Sequence, residues 1–285
     1  MKSIISIVIA VAIGLGVAWG GSQGGTTIGS LPVFLLCGIF AFAVNWLAFI
    51  PASIFQTEKY YDLTGSLTYL TVIVAACWLS APLDLRAIIV ALMVVIWAGR
   101  LGTFLFLRIS GDGKDVRFDK IKTNPMRFLV TWTMQGTWVA LTVASALMII
   151  TSSTRLPIDI FAIIGFSLWI AGFLFEVVAD SQKSQFRANP ENKGRFINTG
   201  LWAWCRHPNY FGEILLWTGI TVASLPLLSG WQWMTIISPL FVFFLLTRIS
   251  GVPLLAKVAK ERWGDEPAFQ EYIAKTPILF PKPPK

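Results

Sequence analysis

The chain has 285 residues, of which 55% are hydrophobic and only 13% charged, with a mean hydropathy of +0.67. So little polar surface excludes a water-soluble globule and assigns the chain to the integral membrane class. Its net charge of +8 accompanies no nucleic-acid-binding signature, so no nucleic acid is expected as a partner; the charge is read as membrane orientation and contact with anionic lipids.

Apolar stretches near the ~20 residues that a helix needs to cross hydrocarbon recur along the chain. They predict eight spans at 4–19, 31–50, 66–80, 85–107, 128–150, 157–178, 214–228 and 231–249. The first could be read as a signal peptide, since Met1 and Lys2 precede an apolar run. No good Ala-x-Ala site follows, however, and the connector 20–30 is uncharged and rich in Gly, Ser and Thr, so a retained helix is the expectation.

With the N-terminus inside, nearly all of the 23 basic residues fall in cytoplasmic loops, Arg86 and Arg155 being outside and Arg100 within the fourth span. The expectation is a multi-pass protein of a bacterial inner membrane with both termini cytoplasmic. Cys37 and Cys77 lie in spans and Cys205 beside a turn; no pair has metal-ligand spacing, so neither a disulfide nor a metal site is expected. Inner loops of ~20–35 residues without linker composition suggest one domain, 1–285. After Ile249, Leu254, Leu255, Val258, Ala259, Trp263, Phe269 and Tyr272 recur at helical spacing. They predict one or two amphipathic helices on the inner face, stopped by Pro277, Pro281, Pro283 and Pro284.

No glycine-rich phosphate loop, Rossmann pattern or Gly-x-Ser-x-Gly elbow is present, so any nucleotide has to be held by helices and loops of the bundle. The most polar turn between apolar stretches runs from Arg206 through His207, Pro208, Asn209, Tyr210, Phe211 and Gly212 to Glu213, and contains the only histidine. Polar groups unpaired in hydrocarbon cost several kcal/mol, so such a turn is expected to face water or hold a polar ligand. Arg206 can neutralise a diphosphate, His207 can donate to one, Pro208 holds its predecessor extended, Asn209 can contact an amide or sugar, and Tyr210 can stack or hydrogen-bond. Lys183 and Arg187 are four apart, share a helix face and could grip a phosphate, while Asp180 could accept from a ribose or adenine. Arg100 needs an anion or a route to the interface, with Arg108 as a helper. Glu213 and Glu176 could serve the same ligand or only their own helices.

The segments 179–196, 206–213 and 261–272 together resemble the steroid 5-alpha-reductase family and its bacterial DUF1295-like members, which are similar to sterol C14 and C7 reductases and, more distantly, to isoprenylcysteine carboxyl methyltransferases. The likeness is strongest over about the last 110 residues, with 157–285 the most family-like part. It implies an all-α bundle of seven to eight transmembrane helices and an NADPH-dependent oxidoreductase acting on a CH–CH group. The expected reaction is hydride transfer to the C=C bond of an enone-type lipid, a 3-oxo-Δ4 steroid or related isoprenoid. The cofactor would meet Arg100, Arg108, Asp180, Lys183, Arg187, Arg206, His207, Asn209, Tyr210 and Arg248, the last aligned with an arginine of related reductases.

Such a reduction also needs an acid to polarise the carbonyl. The resemblance points to Glu58 and Tyr61 as the carbonyl-binding pair, with Asp62 in reserve, and to Gln56 and Trp97 as substrate contacts; this chain departs from the family in the threonine before Glu58 and in Trp97, which stands where relatives carry a tyrosine. The turn is also similar to that of S-adenosylmethionine-dependent methyltransferases, but the adjacent glutamates those enzymes carry after the last-span arginine are replaced here by Ile249, Ser250, Gly251, Val252 and Pro253. A non-catalytic transport or lipid-binding protein is a further alternative, supported by neither repeated broken helices nor a midplane ion cluster.

Overall fold

The chain, seen in a computed structural model, is described over residues 1–112 and 118–284, with side chains at 107–112 outside the description. It is an all-α multi-pass membrane protein. Its helices are α1 (Lys2–Gly21), α2 (Val33–Ile54), α3 (Tyr61–Leu79), α4 (Leu85–Asp112), α5 (Pro125–Thr142), α6 (Ala144–Thr151), α7 (Ile160–Ala188), α8 (Pro208–Ser224), α9 (Ile237–Phe244), α10 (Val252–Trp263) and α11 (Pro267–Lys275). Seven helical runs are long and apolar enough to cross a membrane, or eight when α5 and α6, bent by 53°, count as one span. The predicted span 128–150 is this bent pair.

Proline marks several starts because its missing N–H is one that the first turn leaves unpaired anyway. Pro125 opens α5, capped by Asn124, whose side chain accepts from the Arg127 amide at 3.1 Å; Pro208 opens α8 and Pro267 opens α11. Several boundaries differ from the sequence reading. The third helix begins at Tyr61 rather than 66, the sixth span continues through the polar residues to Ala188, and the seventh begins at Pro208 rather than 214. The connector 20–30 leads into a hairpin of β1 (Thr27–Ile28) and β2 (Leu31–Pro32), turned by Gly29 at φ +59°.

The chain divides into two compact units. The first comprises Met1–Ala162 with Ala223–Ser238. In it the Phe42 ring of α2 lies where side chains at Gly14 of α1 and Gly136 of α5 would have to be. Asn45 of α2 donates to the Ala41 carbonyl at 2.8 Å and to Thr68 of α3 at 3.5 Å, while Gln135 of α5 donates to the Tyr61 carbonyl at 2.9 Å. Arg86 is fully buried: it pairs with Asp159 at 2.9 Å and donates to the carbonyls of Pro157 and Ala223 at 2.9 and 3.3 Å. A guanidinium withdrawn from water is tolerated because these partners satisfy most of its donors.

The second unit comprises Ile163–Val222 with Pro239–Lys285. There α7 and α8 pack backbone to backbone. A Cβ added at Gly172 would lie 2.6 Å from the Gly212 carbonyl oxygen, one at Gly212 would lie 2.5 Å from the Gly172 oxygen, and one at Gly219 would lie 2.4 Å from the Gly165 oxygen. Both helices therefore present glycines seven residues apart at the seam, as small residues do where membrane helices approach closely. The C-terminal segment is tied to the loop before α8 by the Arg206 amide to Pro277 and the Lys282 amide to the Trp204 carbonyl, both at 2.9 Å.

Alanine at Gly172 or Gly212 is expected to destabilise the chain by about 1–3 kcal/mol, because the new methyl meets backbone that cannot swing away. Alanine at Gly16 or Gly99, helical positions with open space around the added Cβ, is expected to be neutral or to stabilise by about 0.5–1 kcal/mol. Thermal unfolding in detergent of the four variants checks this; equal behaviour of the two pairs would contradict the backbone seam.

Candidate functional site

Nothing between Val178 and Ala188 breaks a helix, so the polar residues after the apolar run extend α7. The helix stops where Asn189, preceding Pro190, turns to extended backbone at φ −80° and ψ 118°. Asp180 is buried and Lys183 half-buried on this extension, whereas Arg187 in the last turn is exposed.

The extension holds the short 3₁₀ turn Gly200–Ala203 by three contacts. The Leu201 amide donates to Gln182 Oε1 at 2.9 Å, Trp202 Nε1 donates to the Ala179 carbonyl at 3.0 Å, and Lys183 Nζ lies 4.6 Å from the centroid of the Trp202 ring. Gly200 has φ +60°, and a Cβ there would sit 2.6 Å from the Gln182 amide, so this position accepts only glycine without rearrangement.

The next residues form the candidate site. Pro208 begins α8, His207 lies immediately before it, and the His207 imidazole stacks on the Tyr210 ring at 5.2 Å and 8°. Asn209 Nδ2 donates to Asp180 Oδ1 at 3.2 Å, which joins the start of α8 to α7 and fixes the direction of the amide. Among the described residues, three polar side chains of the motif, on either side of Pro208, then present buried atoms without a hydrogen-bond partner: Arg206 Nε, His207 Nδ1 and Asn209 Oδ1. Buried polar atoms are nearly always paired, and an unpaired one costs about 1–3 kcal/mol. A run of three, beside the Lys183 ammonium, suits a ligand offering both acceptors and donors.

The electrostatics agree. Burial, reinforced by the positive charges of Lys183 and Arg206, pushes the His207 pKa down to about 4, so the imidazole is neutral at physiological pH. Burial also lowers Arg206, against an opposing contribution from Tyr272. It raises the Tyr272 phenol, which donates to the Trp202 carbonyl at 2.7 Å. The Cys205 thiol is pushed up to about 11 by burial, which removes it as a thiolate nucleophile.

The structure thus brings together Asp180, Lys183, Arg206, His207, Asn209 and Tyr210. Arg248 lies exposed in a π-helical turn, Leu245–Ile249. Arg100 is half-buried on α4 in the first unit, and Arg108 falls outside the residues whose side chains are described. Among the expected substrate and acid groups, Gln56 is exposed at φ +51° and donates to the Ser53 carbonyl at 2.8 Å. Glu58 is buried and meets Lys122 Nζ at 2.6 Å. Tyr61, packed against Phe118 and Trp132, donates its hydroxyl to the Thr131 carbonyl at 3.1 Å. Trp97 is buried edge-on to Tyr69 at 5.2 Å. Lys122, Gln182, Trp202 and Tyr272 were missed by sequence reasoning: Lys122 is one of many loop cations, and the other three act through contacts that spacing does not reveal.

The family described as "Protein of unknown function (DUF1295)" matches residues 48–276. The 3-oxo-5-alpha-steroid 4-dehydrogenase 1 of Macaca fascicularis is 32% identical over 121 residues, 42% of this chain and 40% of that protein. The Homo sapiens protein of the same name is 30% identical over 122 residues, 41% and 42% of the two chains. A probable O-methyltransferase, ustE, of Ustilaginoidea virens is 33% identical over 66 residues, 23% of each chain. The chain therefore spans well under half the length of these curated relatives. No solved structure matches.

Because the chain holds a single histidine, selective labelling gives one imidazole signal. Its NMR titration is expected to stay at the neutral position well below pH 6.5 and to move only near pH 4, and Lys183→Gln should raise the midpoint. The sign for stability follows from the lowered value: the unfolded chain takes up the proton first, so the stability contributed is full above about pH 6.5 and is lost as pH falls toward 4. A midpoint near 6.5 in the folded protein would contradict the buried, cation-flanked imidazole.

Proposed function

The chain belongs to the DUF1295 family, and from that premise we propose that it is a membrane-embedded NADPH-dependent reductase acting on the C=C bond of an enone-type lipid, a 3-oxo-Δ4 steroid or similar isoprenoid. The observation that carries the reading is the run of unpaired buried atoms at Arg206, His207 and Asn209 beside Lys183 and Asp180. A phosphorylated dinucleotide fits this donor set. Its diphosphate suits the guanidinium of Arg206 and the ammonium of Lys183, while its amide and hydroxyl groups suit the Asn209 oxygen and the Asp180 carboxylate. The chemistry that NADPH supplies when bound is a hydride equivalent. The turn faces the cytosol in this reading, in keeping with the basic loops that flank it.

For this chain's own residues, the neutral His207 can donate one N–H without adding charge, leaving the anion to the two cations. The proposed carbonyl partners, Glu58 and Tyr61, are linked through their backbones, the Tyr61 amide donating to the Glu58 carbonyl at 2.9 Å. Tyr61 can exchange the Thr131 carbonyl for an entering substrate oxygen, and Glu58, which meets Lys122, can serve that oxygen only as the carboxylic acid, with its proton pointed at it. A donor aimed at the oxygen where charge accumulates is what enone reduction requires.

Methyl transfer is the second reading, supported by the likeness to the O-methyltransferase. The segment after Arg248 weighs against it. None of residues 249–253 is acidic, and Gly251 among them could not become so without rearrangement, since a side chain there would meet the Leu246 carbonyl oxygen and the Tyr210 ring.

Purified protein is expected to bind NADPH and not S-adenosylmethionine, and to oxidise NADPH in the presence of a 3-oxo-Δ4 steroid. Arg206→Ala and Asn209→Ala should each weaken NADPH binding by about ten- to a hundredfold, while Glu58→Gln should leave binding intact and slow turnover. Binding titrations with the two cofactors and absorbance-monitored turnover read these outcomes; unchanged NADPH affinity in both turn variants would rule the site out.

A further inference from the structure

The first two turns of α1 and α5 enclose a cleft of about 270 Å³, lined by Lys2, Ser3 and Ser6 of α1, by Arg127, Val130 and Thr131 of α5, and by Ile121 of the loop before α5. The two helices run side by side in the same direction: Thr137 Oγ1 donates to the Ala10 carbonyl at 3.3 Å, and a Cβ added at Gly14 would lie 3.8 Å from that of Ala140. Lys2 and Arg127, far apart in the chain, are thereby brought to one end of the bundle. Among the described residues, neither cation enters an ion pair and no acidic side chain lines the cleft. Lys122, next to Ile121, is by contrast matched by Glu58 at 2.6 Å.

The neutral groups of the cleft are sorted by bonds within the helices. Ser6 Oγ donates to the Lys2 carbonyl and Thr131 Oγ1 to the Arg127 carbonyl, both at 3.1 Å. Among the described residues this leaves the Ser3 hydroxyl as the side-chain donor of the cleft with no partner. The wall that carries Arg127 is braced from within: Ile121 packs on the cluster of Tyr61, Phe118, Phe128 and Trp132, and the Thr131 carbonyl accepts from the Tyr61 hydroxyl at 3.1 Å. Ile9 and Ile13, 52% and 48% exposed, continue the face of Lys2 and Ser6 at helical spacing. A polar mouth thus leads onto an apolar track along the outside of a helix long enough to cross a membrane.

We propose that this cleft binds the phosphodiester headgroup of an anionic phospholipid, with Lys2 and Arg127 as its charge partners, Ser3 as its neutral donor, and an acyl chain lying along Ile9 and Ile13. The ends of two spans set the cleft at the depth of lipid phosphates, and in the orientation that the basic loops favour this is the cytoplasmic leaflet. Two cations with no carboxylate opposite them match a headgroup of net negative charge and leave the ammonium of a zwitterionic headgroup without a partner. A soluble anion would gain only exposed charges that salt screens, whereas a lipid adds the burial of its chain. Lys2, Ser3 and Ser6 precede residue 48, where the DUF1295 match begins, so half of the site lies outside the stretch shared with that family. The inference is independent of the reductase reading.

The test is native mass spectrometry of the full chain in detergent, titrated with phosphatidylglycerol or phosphatidylethanolamine. The unmodified chain is expected to hold phosphatidylglycerol at least about fivefold more tightly, a comparison that needs no variant to fold. Lys2→Gln and Arg127→Gln should each weaken that binding about fivefold, and Ser3→Asp, which sets a carboxylate in the cleft, should abolish the preference. The pair Lys193→Gln with Arg195→Gln removes two cations elsewhere and should leave it unchanged. Equal affinity for the two lipids would overturn the assignment, as would an equal loss in that second pair, since attraction would then follow overall charge. Displacement of phosphatidylglycerol by sn-glycerol 3-phosphate at matched concentration would also overturn it, because the cleft would then take a soluble phosphate with no part for an acyl chain.

Discussion

The contact on which the candidate site depends is the meeting of two helix backbones, α7 and α8, at Gly165, Gly172, Gly212 and Gly219. Apolar surface gives little drive for helix association in lipid, so close packing of small residues supplies much of it. Where the backbones touch, the polar end of α7 and the first turn of α8 lie within hydrogen-bond reach, and the Asp180–Asn209 bond follows. Larger residues along the seam would move the helices apart and leave the cations of the turn with nothing opposite them.

Two buried arginine environments show what distinguishes a cation that serves the fold from one suited to a ligand. Arg86 is withdrawn from water completely, yet a carboxylate and two carbonyls surround it, joining the first turn of α4 to the residues around Pro157 and to Ala223. Arg206 is less buried but keeps an unpaired Nε beside unpaired atoms of His207 and Asn209. Arg206 and Lys183 both act on the His207 imidazole and, with burial, keep it neutral. Arg86 also keeps an unpaired Nε, but a carboxylate and two carbonyls meet its other donors, whereas the Arg206 Nε lies in one short motif with unpaired atoms of His207 and Asn209.

The membrane spans were legible in the sequence because hydrocarbon imposes both a length and a composition, and the observed helices follow the apolar runs closely. The boundaries that moved did so where helix propensity outlasted hydropathy: residues 179–188 are polar but contain no breaker, so α7 runs on into them. The bend between α5 and α6 falls at Val143, inside an unbroken apolar stretch, and no proline or charge announces it. At the turn, the residue types marked the segment where buried atoms of Arg206, His207 and Asn209 lack partners among the described residues, since polar groups are costly in such a chain. The pairing of Glu58 with Lys122 across 64 positions and the burial of Arg86 come from tertiary packing, which one-dimensional spacing does not encode.

Gly251 carries its own implication for how the imidazole is aimed. The Tyr210 ring lies over that glycine, and the His207 ring lies parallel to Tyr210. The absence of a side chain far along the sequence thus creates the recess into which one aromatic plane settles, and that plane orients the next. The aim of the histidine is in this sense inherited from a hollow at the entrance to another helix.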